Sequence, residues 1–153
     1  MVGCRGDKEV ERTPQSIVID ASTALKWFVP EEDTEKAVKL RNRHVEGENT
    51  LFAPDLLTYE VANALKFRND IIKEDLVKDI DALFNLDLEL IVPSSEMIIK
   101  SMAIARKLDI TVYDSIYLTL AETIGAYVVT SDEKLYEKTK QTKLIQLLKD
   151  WSK

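Results

Sequence analysis

Asp20, Glu60, Asp114 and Asp132 occupy places where a chain with no use for charge would carry apolar or paired residues. Asp20 closes the run Ser16-Ile-Val-Ile, and Asp132 follows Tyr127-Val-Val-Thr-Ser131. Glu60 and Asp114 fall on the apolar faces of two helical stretches, with no Lys or Arg within one turn. Carboxylates gathered without basic partners repel one another and resist ionisation. A divalent cation with hard oxygen ligands, Mg²⁺ or Mn²⁺, removes that penalty. The chemistry open to such a set is attack of water on a phosphodiester. One carboxylate holds a cation that neutralises charge on a phosphoryl oxygen, while another orients the water. Four negative charges also have room for two divalent ions.

Each acidic residue has a plainer explanation, and these must be weighed. Asp20 and Asp132 are each placed to cap a following helix, and for Asp20 taken alone the cap is the stronger reading. Glu60 shares its helical face with Leu56, Leu57, Ala64 and Phe67, with Asn63 at the margin. A carboxylate there is costly to bury unless it sits at the edge of the stripe. Asp114 has Ile110, Tyr117, Leu118 and Ala121 as helical neighbours and stands near a helix start, where the dipole favours it. One shared cation pocket accounts for all of them more economically than separate innocent causes. Ser22, Asn63 and Thr130 lie beside the acidic positions and could orient ligands or substrate, although capping or solvent contact is the simpler role for each alone.

The elements that must position these residues alternate. Strands are expected at Ser16–Asp20, Thr50–Ala53, Leu88–Val92, Ala126–Thr130 and Lys143–Leu147. A short helix is expected through Ala24–Phe28. Longer ones are expected from Pro30 to Val45 and from Pro54 to Arg68 with Asp55 as N-cap. Others follow over Lys73–Asn85, from Ser94 or Ser95 to Leu108, and over Val112–Ile124 with Gly125 beyond its end. Strands alternating with helices imply an α/β fold with a central parallel sheet. The unbroken apolar runs Ile17-Val-Ile and Tyr127-Val-Val suit strands buried on both faces. In such sheets ligands bind beyond the carboxyl ends of strands, where the strand order reverses. Asp20 and Asp132 both stand at such ends.

The 153 residues suffice for one domain with a real core. We divide the chain into a tail over Met1–Gln15 and a folded domain over 16–153. The tail lacks the apolar centre of a secretory signal. Cys4 is the only cysteine and can form no intrachain disulfide, so a cytoplasmic setting is expected. No apolar run approaches a membrane span. The net charge of −6 argues mildly against a non-specific nucleic-acid binder, without excluding local contact.

The motifs taken together carry a resemblance. Val18-Ile-Asp20-Ala-Ser22, Leu25-Lys-Trp-Phe28, Pro54-Asp-Leu-Leu57 with Glu60-Val-Ala-Asn-Ala-Leu65, Thr111-Val-Tyr-Asp114-Ser-Ile-Tyr117-Leu-Thr-Leu-Ala-Glu122, and Val129-Thr-Ser-Asp132 resemble the PIN domain of VapC-type toxins, in order and spacing, from about Ser16 to Leu148. The resemblance implies a three-layer α/β/α sandwich and a Mg²⁺- or Mn²⁺-dependent endoribonuclease. It also implies a homodimer held inactive by a VapB-type antitoxin. It makes Asp20, Glu60, Asp114 and Asp132 the catalytic quartet. Asp20 and Asp114 would be the direct metal ligands, Asp132 would complete the set, and Glu60 would act through water. Ser22 and Thr130 match the family's accompanying hydroxyls. Alternatives are a PIN nuclease of RNA processing or a non-catalytic binding module. A receiver domain is disfavoured because Ile19 and Ala21 flank Asp20, and nucleotide-binding folds because no Gly-rich turn follows the first strand.

Several basic and aromatic residues invite separate readings. Lys36, Lys39 and Arg43, with Arg41 nearby, share a helical face that is expected to be solvated. Lys66 and Arg68 are expected to be the better placed to meet an RNA backbone. His44, the only histidine, is expected at the surface, and Trp27 and Phe28 in core packing.

Overall fold

A computed structural model describes residues 12–152. Most of the expected tail, Cys4 included, lies outside the described residues. Residues 12–14 lead without regular structure into β1 (Gln15–Ile19), and Ile17, Val18 and Ile19 are fully buried there. β-Branched side chains suit such a two-sided strand. The remaining strands are β2 (Asn49–Pro54), β3 (Glu89–Ile91), β4 (Val128–Thr130) and β5 (Ile145–Leu147). All pair in parallel, in the order β3-β2-β1-β4-β5. The register sets Ile17 against Leu51 and Val18 against both Phe52 and Val128.

Helices flank the sheet as expected: α1 (Ala21–Leu25), α2 (Thr34–Val45), α3 (Leu56–Lys66), α4 (Lys73–Asn85), α5 (Ser95–Leu108), α6 (Val112–Ile124) and α7 (Glu133–Thr139). No described helix is long and apolar enough to cross a membrane. α6 is the most deeply buried, with every residue from Ser115 to Ala121 inside. It packs on β1, β2 and β4 and against α5. Buried hydroxyls join the α5–α6 pair: Ser101 donates to Thr119 at 2.8 Å, and Ser115 to the Ser101 carbonyl at 2.7 Å. Ser94 and Thr111 cap α5 and α6 by accepting from Met97 and Asp114 N–H. Gly125 ends α6 with φ 67°, a left-handed conformation that glycine adopts freely.

Three details differ from the sequence expectation. α1 runs over Ala21–Leu25 rather than Ala24–Phe28, because Asp20 caps it directly after β1. α2 begins at Thr34 rather than near Pro30, because Asp33 adopts a left-handed conformation (φ 62°) that interrupts any earlier helix. The intervening loop is held instead by Lys26, a buried lysine. Its ammonium donates to the Glu32 carbonyl at 2.8 Å and pairs with Glu31 at 3.3 Å. Asp55 precedes α3, but its side chain caps nothing; its carbonyl accepts the Thr58 hydroxyl at 2.8 Å.

His44 does not play the expected surface role. Its Nδ1 accepts the N–H of fully buried Leu51 at 3.1 Å, which leaves Nε2 to donate to the Leu86 carbonyl at 2.9 Å. The ring therefore bridges α2, β2 and the end of α4. Trp27 and Phe28 pack against the core as expected, edge to face with centroids 6.4 Å apart, and the Trp27 indole donates to the Ala37 carbonyl.

Candidate active site

The strand order reverses at β1. From β1 the chain moves outward through β2 to β3, then returns to lay β4 on the other side of β1. A crevice opens at such a point beyond the carboxyl ends of the two central strands. Asp20 follows β1 directly, while Ser131 and Asp132 follow β4.

A web of hydroxyls knits these two loops together. Asp20 Oδ1 accepts from the Ser22 hydroxyl at 2.7 Å and from Thr23 N–H at 3.1 Å. Its Oδ2 accepts from the Thr130 hydroxyl. Thr130 Oγ1 in turn accepts Asp132 N–H at 3.0 Å, and Ser22 Oγ accepts Ser131 N–H at 2.9 Å. Thr23 donates to the Val129 carbonyl at 3.0 Å. The sequence alternative for Asp20 is thus also correct: it caps α1 through Thr23. Its second oxygen, however, reaches across 110 residues to Thr130. Capping alone gives no reason for that bond.

The other carboxylates arrive from helices. Glu60 stands at the edge of the buried stripe Leu57, Val61 and Leu65 of α3, since Phe67 is 70% exposed. Glu60 Oε1 accepts the Tyr117 hydroxyl at 2.7 Å. Asp114 lies in the first turn of α6, half-buried. Asp132 is exposed and caps α7 through Leu135 N–H at 3.0 Å. Asn63 is exposed and takes no part in this network.

The electrostatics tie the set together. Burial raises the Asp20 carboxyl above its ordinary range, and the bonds from Thr130, Ser22 and Thr23 offset only part of this. Glu60 is raised by burial first and then by the charges of Asp20 and Asp114, against the opposing bond from Tyr117. Asp114 is also raised, first by burial and then by Asp132, against the Thr111 hydroxyl and the Lys138 charge. The Tyr117 phenol is pushed far up by burial and then by Glu60, Asp20 and Asp114. None of the four carboxylates makes a salt bridge among the described residues.

The donor set suits a hard divalent cation: all of it is oxygen, and among the described residues no ammonium or guanidinium forms a salt bridge with it, although the Lys138 charge acts on Asp114. Among the described residues no three carboxylate, imidazole or thiolate groups stand close enough to form a ready coordination cluster. The charges therefore act on one another across an open cup, not at ligand contact. Mg²⁺ usually keeps several of its own waters and needs only one or two protein carboxylates, so it does not require a closed cage of side chains.

Sequence reasoning missed two contributors. Tyr117 appears there as a helical neighbour of Asp114 and within a motif, with no role of its own. Its phenol on a wholly buried helix face needed a partner, and Glu60 is that partner. Thr23 lies just beyond the quoted motif, yet its N–H and hydroxyl tie Asp20 to the end of β4. Arg68, expected to meet a phosphate backbone, is instead held by Asp70 through two bonds at 2.8 and 2.6 Å. Lys66 lies over the Phe67 ring at 5.7 Å. Arg43 is paired with Glu48 at 2.6 Å, and Lys36 donates to the Lys149 carbonyl.

A five-stranded parallel sheet flanked by helices, with carboxylates at its switch point, defines the α/β class of this protein. The chain belongs to the PIN-domain family, whose pattern matches residues 17–141. It is 37% identical over 126 residues to Ribonuclease VapC3 of Pyrobaculum aerophilum, covering 80% of this chain and 93% of that protein. Its fold resembles the crystal structure of PAE2754 from Pyrobaculum aerophilum, with TM-score 0.63 and 23% identity over 88% of this chain and 90% of the other. It also resembles Mycobacterium tuberculosis VapC20, described as a toxin that cleaves the sarcin–ricin loop, with TM-score 0.61 and 9% identity over 79% and 93% of the two chains. At these identities the two structures speak for the fold alone.

Proposed function

We propose that this chain is a metal-dependent endoribonuclease, the toxin of a toxin–antitoxin pair. In this reading it uses Mg²⁺ or Mn²⁺, acts in the cytoplasm as a homodimer and is restrained by a VapB-type antitoxin. The observation that carries the reading is the switch-point crevice. There Asp20, Glu60 and Asp114 are each driven above the ordinary carboxylate range and make no salt bridge among the described residues, in a chain of the PIN-domain family. Its 37% identity to a protein named a ribonuclease supports the choice of RNA.

Asp20, Asp114 and Asp132 would hold the cation. Bound there, it supplies charge neutralisation for a phosphoryl oxygen and makes water easier to deprotonate. The remaining roles belong to the chain. Thr130 and Ser22 fix the plane of the Asp20 carboxylate, so that its lone pairs keep one direction. Glu60, with Oε1 held by Tyr117, presents Oε2 to the attacking water and takes its proton. Its raised pKa brings it nearer the range in which a general base works at neutral pH.

The test is cleavage of RNA by the purified chain, followed by sequencing of the new ends. A chelator should stop cleavage and Mn²⁺ should restore it. Growth should arrest on expression and recover when the antitoxin is supplied. Cleavage that persists undiminished in chelator would refute the metal-dependent reading.

A further inference from the structure

Beside the carboxylates lies a cavity of about 410 Å³, within the ~300–1,000 Å³ range of ligand sites. Its lining includes Asp114 at the start of α6, Asp132 at the start of α7, and Lys134 and Lys138 of α7. Residues four apart lie on one face of a helix, so α7 offers both ammonium groups to the same cavity. Lys138 is anchored: its Nζ donates to the Asp109 carbonyl at 3.0 Å, which leaves further N–H donors on a group already held in place. Ile110 and Leu135 supply apolar lining.

The two lysines are set apart by their place: among the basic residues without a salt bridge, they line the cavity that also carries Asp114 and Asp132. Arg68, Arg43 and Lys149 are each held by a carboxylate, Asp70, Glu48 and Glu133. Lys134 and Lys138 make no salt bridge among the described residues, although both line a cavity with Asp114 and Asp132. Their charge stays available to an incoming anion. In a chain of net charge −6, attachment of a polyanion depends on such local cations.

We infer that this cavity is the RNA subsite adjoining the scissile bond, with Lys134 and Lys138 holding the neighbouring phosphates. The inference rests on the nuclease reading and deepens it. It moves the phosphate contacts from Arg68, already occupied by Asp70, to α7. The arrangement places a phosphate-binding edge next to the acidic cup, so that a strand bridging the two would present a phosphodiester to the carboxylates. Contacts of this kind fix register and carry no base preference.

The test uses the full chain and a fluorescein-labelled single-stranded RNA of mixed sequence. Binding is measured by anisotropy over a salt series with EDTA present, and KM is measured separately with Mn²⁺. We expect K134A/K138A to weaken binding and raise KM about tenfold, and to lower the log–log salt slope by about 1.4, since each single-strand phosphate contact contributes about 0.7. K134R/K138R should restore binding, and K39A on α2 should change neither quantity. If the alanine pair melts early, K134Q/K138Q gives the same comparison. Unchanged affinity and slope in the double variant would overturn the subsite while leaving cleavage by the wild type, and hence the nuclease reading, standing. Weakened binding in a chain that never cleaves RNA would overturn the nuclease reading and retain the RNA site. A wild-type chain that binds no RNA under either condition overturns the subsite as well.

Discussion

The Tyr117 phenol and the Glu60 carboxylate meet at 2.7 Å, joining α6 to α3 over the mouth of the crevice. Tyr117 is only 2% exposed, so its ring is fixed by the core and its hydroxyl has one direction. The bond engages Oε1; in the proposed mechanism Oε2 is the oxygen that meets water.

Tyr117→Phe keeps the ring and removes only this bond. We expect turnover to fall about tenfold, the equivalent of ~1.4 kcal/mol of orientation lost, with little change in melting temperature. A double cycle with Glu60→Gln is the check: Tyr117→Phe should cost little more once Glu60 is gone. Additive losses would assign Tyr117 a purely structural role.

Thr130 serves Asp20 and Asp132 at once, donating to the first and accepting the backbone N–H of the second. Thr130→Val preserves shape and removes both contacts. Calorimetric titration with Mn²⁺ should show affinity reduced about 10–100-fold, the usual cost of losing a group that orients a ligand. An unchanged isotherm would mean that the hydroxyl does not position the ligand set.

The raised carboxyls give the cation-free protein a distinctive dependence on pH. A carboxyl whose folded pKa exceeds its unfolded value holds its proton more tightly when folded. Its contribution is complete below the unfolded value and is lost as pH climbs through the folded one. For Asp20, Asp114 and Glu60 the loss begins near the ordinary values of 3.8, 3.8 and 4.5 and continues upward. Thermal melts without metal should therefore show wild type losing stability relative to Asp20→Asn as pH rises above the ordinary carboxyl value of 3.8. Mn²⁺ should stabilise the wild type more at the upper end, where protons no longer compete for the ligands. Parallel pH curves for the two proteins would contradict the assigned shift.

His44→Ala leaves the buried Leu51 N–H without its acceptor. We expect a loss of about 1–3 kcal/mol in urea denaturation, with the cleavage rate of the folded protein intact because the ring lies at the α2–β2 junction. A variant as stable as wild type would show that the bond contributes nothing net.

Much of this arrangement could be read from the chain. Ile17-Val-Ile and Tyr127-Val-Val announce buried parallel strands through unbroken β-branched or aromatic runs, and acids placed just after them fall at the switch point because that is where such strands end. Burial of Glu60 and Asp114 among apolar neighbours was visible from helical spacing alone. What stayed hidden depends on long-range meetings that no local pattern encodes. His44 offers no motif, yet its ring nitrogens find Leu51 and Leu86. Arg68 looks free until Asp70 turns back onto it. Asp33 adopts a left-handed backbone that delays α2, which nothing in Pro30-Glu-Glu-Asp33 announces. Lys134 and Lys138 belong to no motif, and only the fold sets them beside Asp114 and Asp132.

The most direct test of the central claim is the rate at which Asp20→Asn and Asp114→Asn cleave single-stranded RNA in Mn²⁺-controlled buffer, beside wild type, with folding verified by circular dichroism. The account predicts a loss of about 10³-fold or more for each, with the fold retained. Wild-type rates in either folded variant would contradict it.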